Sequence, residues 1–450
     1  MNIFRIYFYI ILSSITLLSG CDNDDDNLLP TNLINTTIDG TAVTDGPNSV
    51  SVNPQITLTF DAVLRPEAFE NALQITGGAT QPTYTVTYAN ANSQAVISPE
   101  LQPNTTYTLT VNAATIGENG QALSQPYTLQ LTTTGATLSA CTSASNDCLR
   151  QMQFTDGSNT YTLDYFSTFD LTAEADFDQV TSAIILVHGA ARNNDEYFTW
   201  MNSTLAGLNL SSNTLLIAPQ FKDQSETSAA SELYWNSNNW RDGDPSGNDF
   251  KISSFAVVDS LISQLTERAT NLEHLIITGH SSGGLFTHVY AAANQSEDQL
   301  PATVSVDYIV ANSQYFYYPT DERIDEATDQ LYTPAGCTGY NFWPLGYNVV
   351  PPYVSTIPKA TLDDQFINRS VTYLLGNGNQ SDPTLNTTDC SATLLGSTRY
   401  LRGENIYEYL QQKYPGNGHT RVIINGIGHN GQAMYQSEEF EVLLGEVIGE

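Results

Sequence analysis

The sequence predicts two folds in tandem: an all-β sandwich, then an α/β domain built on a doubly wound, mostly parallel sheet. Three observations predict this. Between about residues 33 and 134, short alternating strands rich in Thr, Val and Tyr recur between Pro, Gly and Asn turns. From about residue 150, apolar runs of strand length alternate with helix-length segments, the pattern that brings strands together in parallel. Most of these later strands are apolar throughout, as strands covered on both faces are. At 450 residues the chain has room for two or three domains.

In chain order, residues 1–20 read as an export signal. Arg5 gives a weakly positive start, and residues 6–18 form an apolar stretch too short to span a bilayer. Leu18-Ser19-Gly20-Cys21 resembles the lipobox of bacterial lipoproteins, in which the cysteine becomes the lipidated first residue. Residues 21–32 form an acidic linker, and Asp22-Asn23-Asp24-Asp25-Asp26-Asn27 resembles the acidic surface-export signals of such lipoproteins. An EF-hand loop is excluded, because its Gly and Glu positions are missing. The expectation is lipid anchoring through Cys21 at the bacterial outer membrane or cell surface, with no other membrane contact.

The sandwich is expected over 33–134, with strands at 55–60, 83–88, 94–98, 106–111 and 127–132. Ser51-Val52-Asn53-Pro54 running into Gln55–Asp61, with Leu101-Gln102-Pro103-Asn104 later, resembles bacterial Ig-like domains. That resemblance implies spacing or weak binding, and no polar cluster here suggests chemistry. Residues 135–152 are expected to form a junction, and 153–450 the α/β domain. Its strands are expected at 161–166, 183–187, 214–219, 274–278, 308–311, 370–375 and 421–425. Helices are expected at 252–269, 284–293, 402–413 and 432–444.

Gly279-His280-Ser281-Ser282-Gly283 carries the chemistry. It reads G-x-S-x-G between an apolar β-branched run and a helix-forming run, the setting of a nucleophile elbow. The bland reading is a Gly-rich turn whose serines cap a helix. A serine nucleophile needs a base, and the chain order of such sites is Ser, acid, His. Of His288, His419 and His429, only His429 lies on a loop after the last strand, so His429 is the expected base. The expected acid is Asp382, the first carboxylate after the strand at 370–375, with Asp389 and the pair Asp363/Asp364 as fallbacks. Two backbone N–H groups would hold the oxyanion, those of Ser282 and Ala190, with Ala191 as the alternative donor. His188 is expected to brace its loop.

These motifs together resemble the α/β-hydrolase superfamily, most closely its secreted esterase and polyester-depolymerase-like branch. The resemblance rests on His188-Gly189 with Arg192-Asn193, the elbow, Cys337-Thr338-Gly339-Tyr340-Asn341-Phe342-Trp343-Pro344, Leu374-Leu375-Gly376 with Asp382-Pro383, and Gly428-His429. It implies a serine carboxylic-ester hydrolase working through an acyl-enzyme on an ester substrate. One departure is plain: where relatives are expected to carry an aspartate, three residues after Gly376, this chain has Asn379. The competing function class, favoured by Asn379 alone, is a non-catalytic surface binding or adhesion protein with a degenerate hydrolase domain.

Composition narrows the partners. With 48 acidic against 15 basic residues and a net charge of −33, binding to nucleic acid or anionic membranes is not expected. Setting Cys21 aside, Cys141, Cys148, Cys337 and Cys390 suggest two disulfides in an exported protein. Three pairings are open, and the expected one is Cys141–Cys148 with Cys337–Cys390. No C-x-x-C or H-x-x-x-H spacing occurs, so neither metal nor cofactor is expected. Trp235, Trp240, Trp343 and the run Tyr315-Phe316-Tyr317-Tyr318 lie in long polar or Pro-rich segments. They are expected to line an acyl or sugar pocket or to pack the loops themselves.

Overall fold

The computed structural model describes residues 29–449, except 44–45, 119, 135–137, 139, 174, 176 and 379–381. The expected signal peptide, Cys21, the acidic linker up to residue 28 and Asn379 lie outside the described residues. The chain divides into two compact units after Thr134.

The first unit is the expected sandwich. Its strands are β1 Leu33–Ile38, β2 Thr41–Ala42, β3 Asn48–Val50, β4 Ile56–Phe60, β5 Leu73–Gly77, β6 Thr83–Ala89, β7 Gln94–Glu100, β8 Thr106–Val111 and β9 Tyr127–Thr133, with one helix, α1 Pro66–Ala72. They form a five-stranded sheet, β2-β1-β4-β7-β6, and a four-stranded sheet, β3-β9-β8-β5. Alternate residues point inward: Ile56, Leu58 and Phe60 from one sheet and Leu109, Val111, Leu129 and Leu131 from the other share one core. Sequence reasoning missed β1, β2, β3 and β5, which are short or carry several polar residues, and α1.

The second unit holds β10 Leu149–Asp156, β11 Asn159–Ser167, β12 Ser182–Val187, β13 Thr214–Pro219, β14 His274–His280, β15 Ser305–Ala311, β16 Arg323–Asp325, β17 Gln330–Tyr332, β18 Ser370–Gly376 and β19 His419–Ile424. Its helices are α2 Asn194–Gly207, α3 Ser254–Arg268, α4 Ser282–Ala293, α5 Pro352–Ser355, α6 Lys359–Asn368, α7 Cys390–Thr393, α8 Arg399–Lys413, α9 Gly431–Tyr435 and α10 Glu438–Ile448. Eight strands make one sheet in the order β10-β11-β13-β12-β14-β15-β18-β19. Only the β10-β11 and β11-β13 pairs are antiparallel. This is the expected doubly wound, mostly parallel sheet.

Strand alternation sorts the core into two layers. From β12, Ala183, Ile185 and Val187 pack with Phe255 and Leu261 of α3, Phe286 of α4 and Phe366 of α6. Ile184 and Leu186 face the other way, onto Phe198 and Met201 of α2 and Phe440 and Leu444 of α10. Each such buried Ile or Leu contributes about 1.5–3 kcal/mol. With helices on both faces, no position in β12 can be polar and exposed, hence the unbroken apolar run.

Register then positions the loops. Val187 pairs with Gly279, His280 with Ala311, Ala311 with Leu374, and Gly376 with Ile424. The carboxyl ends of β12, β14, β15, β18 and β19 therefore lie along one edge, where open α/β sheets bind ligands.

Several expectations are corrected. The helix expected at 432–444 is two helices, α9 and α10, because the Ser437 hydroxyl accepts the N–H of Phe440 and starts a new helix. The segment 135–152 is not only a junction: Cys148 is buried in the second unit's core, and Leu149 opens β10. Of the two readings of Trp235 and Trp240, pocket lining or packing of the loops themselves, the first fails, since both are fully buried with Phe221 and Phe286 in the core. Phe316, Tyr317 and Tyr318 are core residues as well. The disulfides are Cys141–Cys148 and Cys337–Cys390, the expected pairing. Among the described residues, no helix is long and apolar enough to cross a membrane.

Candidate active site

Ser281 stands between the end of β14 and the start of α4, at φ 61° and ψ −113°. An L-residue holds such a conformation only at a cost on the order of 1–3 kcal/mol, so the surroundings must impose it. They do so by contact. A Cβ on Gly279 would lie 2.4 Å from the Gly283 carbonyl carbon, and one on Gly283 would lie 2.2 Å from the Val187 carbonyl oxygen. The glycines of the motif are therefore clearance for α4 to press against β14 and β12. The Ser281 N–H is fixed to Ala311 O at 2.9 Å.

The loop after β12 lies beside this elbow. His188 is fully buried; its Nε2 accepts the Phe221 N–H at 3.1 Å and its Nδ1–H donates to Gly189 O at 2.8 Å. Burial holds its pKa down, to about 4, so it braces the loop as a neutral ring. Arg192 donates to Phe221 O and to Trp235 O, pinning the far end of the loop. Ala190, Ala191, Ser281 and Ser282 all line one cavity of about 550 Å³. Among the described residues, the N–H groups of Ala190, Ala191 and Ser282 meet no acceptor.

His429, on the loop after β19, lines the same cavity. Its ring stacks on His280, centroids 4.9 Å apart. That loop is held backbone to backbone against the loop after β18: Gly378 N–H donates to Ile427 O at 2.8 Å, and a Cβ on Gly378 would fall 1.9 Å from the Gly426 carbonyl carbon. Asn312 ties both, accepting the Gly376 N–H at 2.9 Å and donating to Gly428 O at 2.8 Å.

Asp382, the expected acid, reaches this corner without bonding His429 directly. Its Oδ1 is 3.7 Å from His429 Nδ1, beyond hydrogen-bond range. Between them is Thr384, whose Oγ1 lies 2.6 Å from Asp382 Oδ1, 3.1 Å from His429 Nδ1 and 3.0 Å from Arg399 Nη2. A hydroxyl has one proton and two lone pairs. The proton goes to the carboxylate, the closest partner, and Arg399 takes one lone pair. The other lone pair accepts from His429, so Nδ1 carries the hydrogen. His429 Nε2 is left unprotonated; it is buried and, among the described residues, without a partner.

Charge acts in two directions here. Burial pushes the Asp382 carboxyl up, but hydrogen bonds from Thr384 and Arg399 and the Arg399 charge outweigh it and hold the pKa at about 2. For His429, burial and the Arg399 charge outweigh the pull of Asp382, and its pKa falls to about 4. Arg399 is itself buried, with Nε on Asp382 Oδ2 at 2.6 Å and Nη1 on Asn312 O at 3.0 Å.

The other sequence candidates are engaged elsewhere. Asp389 accepts from Asn386 at the start of α7. Asp363 takes the Tyr317 hydroxyl, and Asp364 the Asn368 amide. His288 is boxed by Phe316 and Phe366, and His419 bonds Tyr373 and Phe366 O. Of the aromatics singled out in the sequence, Tyr315 alone lines the cavity. Thr384 and Arg399 were missed: the Asx-turn at Asp382-Pro383-Thr384 was a signal for the first, and nothing local marks the second.

Residues 34–133 match the family model of the bacterial Ig-like domain. No curated protein matches the chain in sequence. Among solved structures the chain is similar to the LpqC poly(3-hydroxybutyrate) depolymerase from Bordetella parapertussis, at 20% identity and TM-score 0.44, over 64% of this chain and 87% of that one. It is also similar to poly(aspartic acid) hydrolase-1 from Sphingomonas sp. KT-1, at 18% identity and TM-score 0.44, over 67% of this chain and 98% of that one.

The close approach at the elbow sets a test. Gly283→Ala should destabilise the second unit by at least about 2 kcal/mol, because a backbone carbonyl cannot step aside as a side chain can. Gly207→Ala, with nothing within 4 Å, should be neutral or mildly stabilising. Urea midpoints of the two variants measure this, and equal midpoints would remove the clearance argument.

Proposed function

We propose that this chain is a serine hydrolase that cleaves carboxylic esters through an acyl-enzyme. One observation carries the reading: Ser281 sits on a strained strand-to-helix turn and shares a cavity with an imidazole whose Nε2 is unprotonated and unpaired. In the proposed reaction Ser281 Oγ attacks the ester carbonyl while His429 Nε2 takes its proton. The N–H groups of Ser282 and Ala190 hold the oxyanion. Collapse of the tetrahedral intermediate expels the alcohol, which takes the proton back from His429. Water, activated in turn by His429, then attacks the acyl carbon and frees Ser281. Asp382 acts on His429 through the Thr384 hydroxyl, fixing the Nδ1–H tautomer and stabilising imidazolium. We also propose that Cys21 carries a lipid that anchors the protein at the bacterial outer membrane or cell surface, with the Ig-like unit as a spacer. The fitting motif at 18–21 supports this.

A fluorophosphonate probe should label Ser281. Ser281→Ala should abolish labelling and lower ester turnover by at least about 10³-fold, since a triad acts as one unit. Ser282→Ala should do far less, as only its N–H takes part. Labelling at Ser282, or equal losses in both variants, would place the nucleophile elsewhere.

The pH profile is a second expectation. The base must be unprotonated, and it protonates as pH falls through its pKa. With that pKa lowered from the ordinary imidazole value of 6.5 to about 4, kcat/KM should hold through pH 6 and fall by half near pH 4. An acid limb at 6.5 or above would mean that the pull of Asp382 outweighs burial and Arg399.

For the anchor, Cys21→Ser should move the protein from the membrane to the soluble fraction in the producing bacterium. Identical fractionation of both forms would rule out lipidation at Cys21.

A further inference from the structure

We infer that the Ser281 cavity is shaped for an ester bearing a free carboxylate, which Arg241 receives. This rests on the hydrolase reading above and names its substrate class. The chain carries 48 acidic and 15 basic residues. Yet among the described residues the cavity wall contains no Asp or Glu, and it does contain Arg241. In so acidic a chain, a wall of 16 residues would ordinarily include an acid or two at random.

Arg241 is held for this task. It lies in the short turn Asn239–Asp242, just after the fully buried Trp240. Its guanidinium stands over the Tyr315 ring, 5.1 Å from the centroid, and its side chain is 17% exposed. Nε donates to Asp242 Oδ1 at 3.1 Å, and Asp242 is held in turn by Trp343, whose indole N–H donates to Asp242 O at 2.6 Å. That occupies one edge of the guanidinium. Among the described residues, no acceptor meets Nη1 or Nη2, so a two-pronged donor edge is left for a ligand, in the geometry that pairs with a carboxylate.

Behind the wall, the carboxylates of Asp389 and Glu196 accept from the wall residues Asn386 and Asn193, and one buried cation opposes them. Arg402 is 1% exposed and donates only to carbonyls, those of Gly396, Gln314 and Asn386. Burial lowers its pKa to about 10, which leaves it cationic at neutral pH. Gln314 and Asn386, the residues it holds, are themselves in the wall. Arg399 is neutralised by Asp382, and Arg241 is paired on one edge with Asp242, whereas Arg402 has no carboxylate partner among the described residues. The net charge of −33 does not reverse this, because salt screens distant surface charge beyond about 8 Å at physiological ionic strength.

The test compares two esters with one leaving group on the full mature chain: mono-4-nitrophenyl adipate, which keeps a free carboxylate, and its methyl-capped diester. Wild type should prefer the free acid by at least about tenfold in kcat/KM, carried mainly by KM. Arg241→Gln should bring the ratio close to parity, and Arg241→Lys should restore part of it, since charge returns without the fork. Equal rates on both esters by wild type, or an unchanged ratio in Arg241→Gln, would overturn the carboxylate site and leave the hydrolase reading standing. Turnover of neither ester, with no fluorophosphonate labelling, would overturn both.

Discussion

The close packing of α4 onto the ends of β14 and β12 is the constraint on which the site depends. Gly283 meets the Val187 and His188 carbonyls with no room for a side chain, and Gly279 meets Gly283 in the same way. The turn between them has to fold back sharply, and Ser281 takes up the strain at φ 61°. The contact that lifts Ser281 out of the sheet also brings the loop of Ala190 alongside it, because Val187 and Gly279 are register partners. Ser281 and the N–H groups proposed to hold the oxyanion are thus set by backbone packing in the rigid core, where side-chain motion cannot loosen them.

A second constraint places His429. The loops after β18 and β19 touch backbone to backbone at Gly378 and Gly426 and are tied together by Asn312. Their contact brings Asp382, Thr384 and His429 into one corner. The single proton of the Thr384 hydroxyl then decides the arrangement. With Asp382 receiving it and Arg399 supplying one donor, the hydroxyl can only accept from His429. A carboxylate 3.7 Å from the ring still governs its tautomer, through one intervening oxygen.

What could be read in the chain before its structure follows from whether the signal is local. The apolar runs of β12, β14, β15 and β18 mark buried parallel strands because burial on both faces leaves few polar positions. The elbow shows in five consecutive residues, since its clearance is needed within one turn. Ser437 hides inside an apolar periodicity that runs on from α9 to α10, and only its capping bond reveals two helices. Trp235 and Trp240 stand among polar neighbours, so the sequence suggests a surface loop; the fold turns them back onto Phe221 and Phe286. Arg399 lies 17 residues beyond its partner Asp382 at the start of α8, and no spacing rule joins them.

Arg399 exposes a trade-off in the proposed reaction. A buried carboxylate is costly unless paired, and Asp382 at 8% side-chain exposure is paired by a bond of 2.6 Å to a guanidinium that is itself buried. The same cation disfavours a second positive charge nearby, and it is part of what lowers the pKa of His429. The pair that keeps Asp382 ionised therefore weakens its pull on the imidazole. A ring that resists protonation is a weak base but is always in its working form at neutral pH, whereas a ring fully under the carboxylate's influence is a stronger base that is partly occupied. Thr384 sits where these demands meet: it passes the carboxylate's influence to Nδ1 and keeps the ring out of a direct ion pair. On this geometry, holding His429 neutral and correctly oriented takes precedence over making it strongly basic.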